Sequence, residues 1–326
     1  MPIPNPEKIL DVLIIGAGPI GIACALEAKK KNFAYIAVEK GPLVNSLYHY
    51  PTNMRFFSTS EKLEIDDIPF ISNNAKPVKA EALEYYRRIA VSNKLNINLF
   101  EKVEQVEKEN SHYKVTTSKK TYFTKNIVVA TGFYDIPNYL NVPGEELPKV
   151  FHYYQDPHYF AGQKTIVVGA SNSAVDAALE IYRKGGEVSM IVRGKSIGER
   201  VKYWVKPDIE NRISEGSITA YFNSEIKEIR ENEVEIIDKN GKLKTLKNDF
   251  VLALTGYRPN FEFLENMGIR LSKDGKKVPE HDPQTMESNQ AGIYLAGVIC
   301  GGVETHKWFI ENSRIHAKMI MEAIAN

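Results

Sequence analysis

Asp11-Val12-Leu13-Ile14-Ile15-Gly16-Ala17-Gly18-Pro19-Ile20-Gly21 is a short apolar run closed by a glycine cluster, after which small residues recur at Ala23, Ala25 and Ala28. The order predicts strand, glycine turn and helix. Gly16 permits the tight turn, Gly18 lets backbone approach a pyrophosphate, and Gly21 admits close packing of helix on strand. The helix, opening at Pro19 and Ile20, would present its unpaired N–H groups to the phosphates. Ala34-Tyr35-Ile36-Ala37-Val38 then reads as a second strand that ends in Glu39 and Lys40. An acid at that distance accepts hydrogen bonds from ribose hydroxyls. A lone glycine motif is weak evidence, but here strand, turn, helix, strand and terminal acid follow one another in order.

The same grammar returns in mid-chain. Thr165-Ile166-Val167-Val168 leads into Gly169-Ala170-Ser171-Asn172-Ser173-Ala174 and a helical run from Val175 to Lys184. Ser171 replaces the middle glycine and Ala174 the last, the latter a permitted change. The next strand, Glu187 to Val192, ends in Arg193 where the first unit ended in Glu39, and Lys195 and Arg200 lie just beyond. An acid there would repel a 2′-phosphate, whereas Arg offers it a bidentate charged partner. The first site is therefore read as FAD, held by Gly16, Gly18, Pro19, Ile20, Gly21, Glu39 and Lys40. The second is read as NADPH, held by Gly169, Ser171, Asn172, Ser173, Ala174, Arg193, Lys195 and Arg200.

The rest of the chain fits two such units. Its 326 residues suggest about two domains. With 43% apolar and 25% charged residues the composition is that of a globular protein rather than a disordered one. Forty-two Lys and Arg against 41 Asp and Glu leave a net charge of +1, which gives no global field for nucleic acid or an anionic membrane. Two cysteines, Cys24 and Cys300, exclude a disulfide framework and a cysteine-rich zinc site, and no HExxH pattern occurs. No window approaches the ~18 apolar residues of a membrane span, and the N-terminus lacks the unbroken apolar stretch of a signal peptide. The expectation is a cytoplasmic protein with no metal, nucleic-acid or membrane partner.

Two further strands mark where the chain leaves and re-enters the first domain. Asn126 to Val129 runs into Ala130-Thr131-Gly132, and Asp249 to Leu254 runs into Thr255-Gly256; each is followed by proline, at Ile136-Pro137 and Arg258-Pro259. Thr131, Gly132, Thr255 and Gly256 are accordingly placed at the cofactors. Glu101 to Phe123 and Glu225 to Leu246 alternate polar and apolar residues as antiparallel hairpins, with Lys239-Asn240-Gly241 as a turn. The fold class expected is α/β, with two Rossmann-like three-layer domains. An NADPH domain, 134–255, is inserted into a split FAD domain, 1–133 and 256–326.

These motifs make the chain resemble, over essentially its whole length, the thioredoxin reductase-like flavoproteins with two dinucleotide-binding domains. Val44 to Thr52, Phe56 to Ile65, Lys149 to Tyr153, Asn172 to Glu180, Gly292 to Val298 and Phe309 to Asn312 are similar to segments of the bacillithiol-disulfide reductase family. The resemblance implies that Asn45, Ser46, Tyr50, Pro51, Thr52 and Asn53 lie where that family holds the flavin. Gly297 and Val298 would close its last FAD-contacting strand, Val298 standing where the wider group has Asp. Beyond Gly301-Gly302, a helix beginning near Glu304 would aim N–H groups at the flavin pyrimidine, with Thr305 and His306 contributing. A homo-oligomer is implied by the family alone.

The chain departs at the thiols from the families it resembles. It has no CxxC pair, and Ile20 occupies the position of the family's cysteine in the first glycine motif. The catalytic candidates left are Cys24, one helical turn and about 6 Å beyond Ile20, and Cys300, just after Val298. The resulting expectation is an NADPH-dependent flavoprotein that reduces a low-molecular-mass disulfide through flavin. The alternative is a ferredoxin or flavodoxin–NADP reductase that docks an acidic carrier on the basic stretch Arg200 to Lys206. A flavin monooxygenase is less favoured, for want of its linker motif around His152.

Overall fold

The computed structural model describes residues 9–326, which form two compact units. One comprises the chain through His49, Met54–Ile136 and Arg258–Asn326; the other comprises Tyr50–Asn53 and Pro137–Tyr257. The crossings at 136/137 and 257/258 fall slightly later than the expected ones, and four residues of the first segment group with the second unit.

In the first unit, Leu10–Ile15 lies between Tyr35–Val38 and Thr121–Val129, parallel to both. The sheet continues outward to Ile97–Asn98 on one side and to His112–Thr117 and Val103–Glu109 on the other. Thr121–Val129 changes character along its length. Its first half is antiparallel to His112–Thr117 and alternates half-buried with buried side chains. Its last three residues, Ile127 to Val129, are all buried between Leu10–Ile15 and Ile293–Leu295. Alternation marks a strand with one wet face, and a continuous apolar run marks one covered on both. The hairpin and the parallel strand read separately from sequence are thus one element. The helix Pro19–Lys30 is buried at every residue from Ile20 to Leu26, packs against Ile315–Ala325, and ends in Lys29 and Lys30, where cations favour the dipole.

The second unit is built on five parallel strands in the order Thr219–Phe222, Glu187–Val192, Lys164–Val168, Phe250–Ala253, Val150–Phe151. Its strands feed two cores, because successive side chains point to opposite faces. Val167, Met190, Val192 and Leu252 meet Ala174, Val175, Ala178 and Ile181 of the helix Asn172–Arg183. Ile166, Val168, Ile191 and Val251 meet Ile226, Ile229, Val234 and Ile236 of an antiparallel meander. That meander, Ser224–Ile229, Glu233–Asp238 and Leu243–Lys247, is the predicted hairpin region, and it takes the place of a second helical layer. No helix among the described residues is long and apolar enough to cross a membrane. No group of three or more His, Cys, Asp or Glu among them could hold a metal ion.

Candidate nucleotide sites

The first glycine turn is shaped by backbone. Gly16 has φ +106°, and a Cβ there would lie 2.6 Å from the Ala130 carbonyl oxygen, beside Thr131. A Cβ on Gly21 would lie 1.9 Å from the Gly16 oxygen, so the helix sits closer to its strand than any side chain allows. Above Gly18 nothing among the described residues lies within 4 Å. Gly18 is the N-cap of Pro19–Lys30, and no side chain caps that end. Open space facing uncapped helix N–H groups fits a pyrophosphate.

Glu39 reaches the same turn. Its carboxylate accepts from the Ala17 N–H at 2.9 Å and from the Gly41 N–H at 3.2 Å. Burial pushes its pKa up, and those two donors oppose the shift. Its backbone is pinned in turn, with its N–H donating to Asn98 O at 2.8 Å and its carbonyl accepting from the Glu101 N–H at 2.7 Å. Glu101 is itself buried but satisfied by Thr117, Tyr122 and Asn98, and these donors overcome desolvation to hold its pKa below the usual range. Sequence reasoning missed Glu101; the one signal was an acid standing just before a strand that the alternation leaves wet. Lys40 pairs with Asp135 at 2.7 Å.

Three of the expected flavin contacts converge here. The Val44 N–H donates to Ala17 O at 3.0 Å, which sets the short helix Asn45–Tyr48 beside the glycine turn. Ser46 Oγ lies 3.8 Å from where a Gly132 Cβ would be, and the Asn45 side chain abuts Gly41. Tyr50, Pro51, Thr52 and Asn53 group with the second unit, where the Thr52 N–H donates to Gln155 O at 2.7 Å.

Gly297 opens a 3-10 turn, Gly297–Gly301, that includes Val298 and Cys300. The Ile20 side chain lies 3.3 Å from where a Gly297 Cβ would be, and the Gly297 N–H donates to His316 Nδ1 at 3.2 Å. His316, which nothing in the sequence pattern singles out, is 2% exposed, and burial lowers its pKa to about 4, with His281 adding to the effect. The helix expected near Glu304 begins instead at Ile310. Gly302 adopts φ +59° against Lys276 and Lys277, so the chain is still turning through Thr305 and His306, and the start is fixed by Asn312 Oδ1 accepting from the Phe309 N–H at 2.6 Å. Ile310–Ser313 runs on through Arg314, whose backbone stays helical, into Ile315–Ala325.

Both thiols lie in the core of the first unit. Cys24 is 0% and Cys300 2% exposed; burial pushes the Cys24 thiol up to about 12 and the Cys300 thiol further. Exchange requires an accessible thiolate, so this is the environment of inert, packing cysteines.

The second glycine turn repeats the geometry with different chemistry. Gly169 has φ +127°, and a Cβ there would lie 2.6 Å from Leu254 O. Ala174 fits its buried place on the helix, whereas Ser171, the N-cap, and Ser173 face outward with no side-chain cap. Thr255 Oγ1 donates to Asn138 O, which ties the segment after Phe250–Ala253 to the one after Ile136–Pro137. Arg193, Lys195 and Arg200 are exposed and make no ion pair among the described residues. The other cations of that basic stretch are engaged, Lys202 with Asp176 at 2.7 Å and Lys206 with Glu210 at 3.8 Å.

The sequence pattern of the pyridine nucleotide-disulphide oxidoreductases matches residues 13–297. The chain is 43% identical over 314 residues to the bacilliredoxin reductase of Bacillus subtilis, spanning 96% of this chain and 97% of that one. The solved bacillithiol disulfide reductase of Bacillus cereus superposes with a TM-score of 0.95 at 42% identity, covering 98% and 99% of the two chains. A ferredoxin–NADP reductase of Ignicoccus hospitalis is more distant, 24% identical over 298 residues and covering 89% and 90%.

Proposed function

We propose that this chain, which belongs to the pyridine nucleotide-disulphide oxidoreductase family, is an NADPH-dependent flavoprotein that reduces a low-molecular-mass disulfide of the bacillithiol disulfide kind. One disulfide, one NADPH and one proton give two thiols and NADP+. The observation that carries the reading is the pair of glycine turns with opposite charge at the ends of their strands, Glu39 in one and Arg193 in the other. FAD, when bound, supplies the two-electron chemistry between nicotinamide and acceptor. The chain's own residues bind and orient. The uncapped start of Pro19–Lys30 and the open face of Gly18 take the pyrophosphate, and Glu39 takes a ribose. The start of Asn172–Arg183, with Arg193, Lys195 and Arg200, takes the nucleotide that bears a 2′-phosphate. The first unit is thus the FAD unit and the second the NADPH unit; a cytoplasmic location and self-association are supported by the resemblance alone.

The buried state of both thiols favours a second reading, electron delivery to a ferredoxin or flavodoxin, which needs no cysteine. Its docking surface is weaker than the sequence suggests, because Lys202 and Lys206 are paired. The test is anaerobic reduction of the holoenzyme by NADPH, followed by mixing with bacillithiol disulfide, thioredoxin, ferredoxin or flavodoxin. Rapid flavin reoxidation by the small disulfide is expected, in wild type and in the Cys24→Ala and Cys300→Ala variants alike. Reoxidation by a carrier protein alone would replace the first reading with the second.

A further inference from the structure

The loop that carries Arg193, Lys195 and Arg200 exposes its cations while hydrogen bonds fix its backbone at several points. The Gly198 N–H donates to Ala170 O at 2.9 Å, and a Cβ on Gly198 would lie 2.8 Å from that same oxygen, so the loop lies directly on the glycine turn. Further contacts fix it on either side. The Asn223 N–H donates to Gly194 O at 2.9 Å. Asn172 Oδ1 accepts from the Lys202 N–H at 2.8 Å, while Asn172 Nδ2 donates to Arg200 O at 3.3 Å. One helical turn on, Asp176 accepts from Lys202 Nζ at 2.7 Å, with Lys202 7% exposed. Ile197 and Val201 anchor the loop in the helix-side core. Asn172 and Asp176 are four residues apart and share a face of the helix. Both ends of the Asn172 amide are spent on the loop.

We propose that Asn172 and the Asp176–Lys202 pair are positioning residues that hold Arg193, Lys195 and Arg200 as a preformed cradle for a 2′-phosphate, and thereby set the preference for NADPH over NADH. The proposal rests on the reading of the second unit as the NADPH unit. Long cationic side chains lose rotamer freedom on binding, and a loop that is already ordered spares the ligand the further cost of ordering its backbone. The clamp therefore acts most strongly on ligands that carry the 2′-phosphate.

The experiment is calorimetric titration of the holoenzyme with adenosine 2′,5′-bisphosphate and, separately, with ADP. Asn172→Ala is expected to weaken the bisphosphate about tenfold and ADP, which meets the same helix start, by a distinctly smaller factor. Asp176→Asn, which keeps the shape of the side chain, should give a smaller loss of the same selective kind. Arg193→Glu serves as the reference for the phosphate site itself and should abolish the preference for the bisphosphate. If Arg193→Glu does so while Asn172→Ala and Asp176→Asn weaken both ligands equally or neither, the clamp is overturned and the cofactor reading survives. If Arg193→Glu leaves the preference intact, the phosphate-site reading falls, and the clamp with it.

Discussion

The two glycine turns have the same frame and different tolerances. Gly16 and Gly169 both take left-handed backbone angles, and in both a Cβ would lie 2.6 Å from a carbonyl oxygen, that of Ala130 in one unit and Leu254 in the other. The first position is dictated by the neighbouring strand whatever the ligand. The last position diverges, since at Gly21 a Cβ would strike backbone at 1.9 Å, whereas the second turn accommodates Ala174. The residue that ends the following strand diverges most, a buried Glu39 against an exposed Arg193. Geometry is thus shared where the backbone crosses itself, and chemistry is assigned one strand later.

The largest effect that would break this comparison comes from exchanging the last position. Gly21→Ala should cost about 3 kcal/mol, at the upper end for overpacking, and yield protein that binds no flavin. Ala174→Gly should cost only about 1 kcal/mol, the ordinary helix penalty. Denaturant melts and the visible absorbance of the purified proteins check both, and equal costs would show that the two turns are packed alike.

The difference in charge comes next. Arg193→Glu should raise the KM for NADPH roughly 100-fold while shifting that for NADH only a few-fold, because a charge-assisted pair becomes a repulsion. Equal losses with the two cofactors, measured by steady-state kinetics, would remove the distinction drawn between the strand ends.

The smallest effect sharpens the first site alone. His316 accepts the Gly297 N–H as a neutral ring and has a folded pKa near 4 against 6.5 unfolded. Above pH 6.5 both states are neutral and the group gives no pH dependence. As pH falls from 6.5 toward 4 the unfolded state takes up the proton first, so stability declines across that window and the contribution levels off below it. His316→Gln should flatten part of this slope in denaturant midpoints taken at pH 7, 5.5 and 4.5, whereas an unchanged slope would place the acid sensitivity elsewhere.

What was legible in the sequence was the part governed by local pattern. Apolar runs, glycine spacing and the acid or arginine at each strand end are read directly, as is the meander from its period of two and its Asn-Gly turn. Burial on all sides was not legible. Periodicity puts Cys24 on the face of Ile20, but a helix buried from Ile20 through Leu26 has no outer face there, and a thiol on it has no route to solvent. Contacts distant in sequence were also out of reach. Glu101 under Glu39, His316 on Gly297 and Asn172 on the loop at Arg200 are each ordinary polar residues until the fold brings their partners within 3.3 Å. The start of the last helical region was misplaced because Gly302 prolongs the turn, a backbone event that composition does not announce.

Tyr50–Asn53 belongs to the second unit although it is flanked on both sides by chain of the first. There the Thr52 N–H meets the carbonyl of Gln155, next in the chain to Tyr154, whose hydroxyl donates to Glu180. A free-standing protein cut at 137 and 257 would therefore be born with a notch. The Gln155 carbonyl would lose a donor supplied from far upstream, and a synthetic tetrapeptide of that sequence becomes the natural plug with which to repair it.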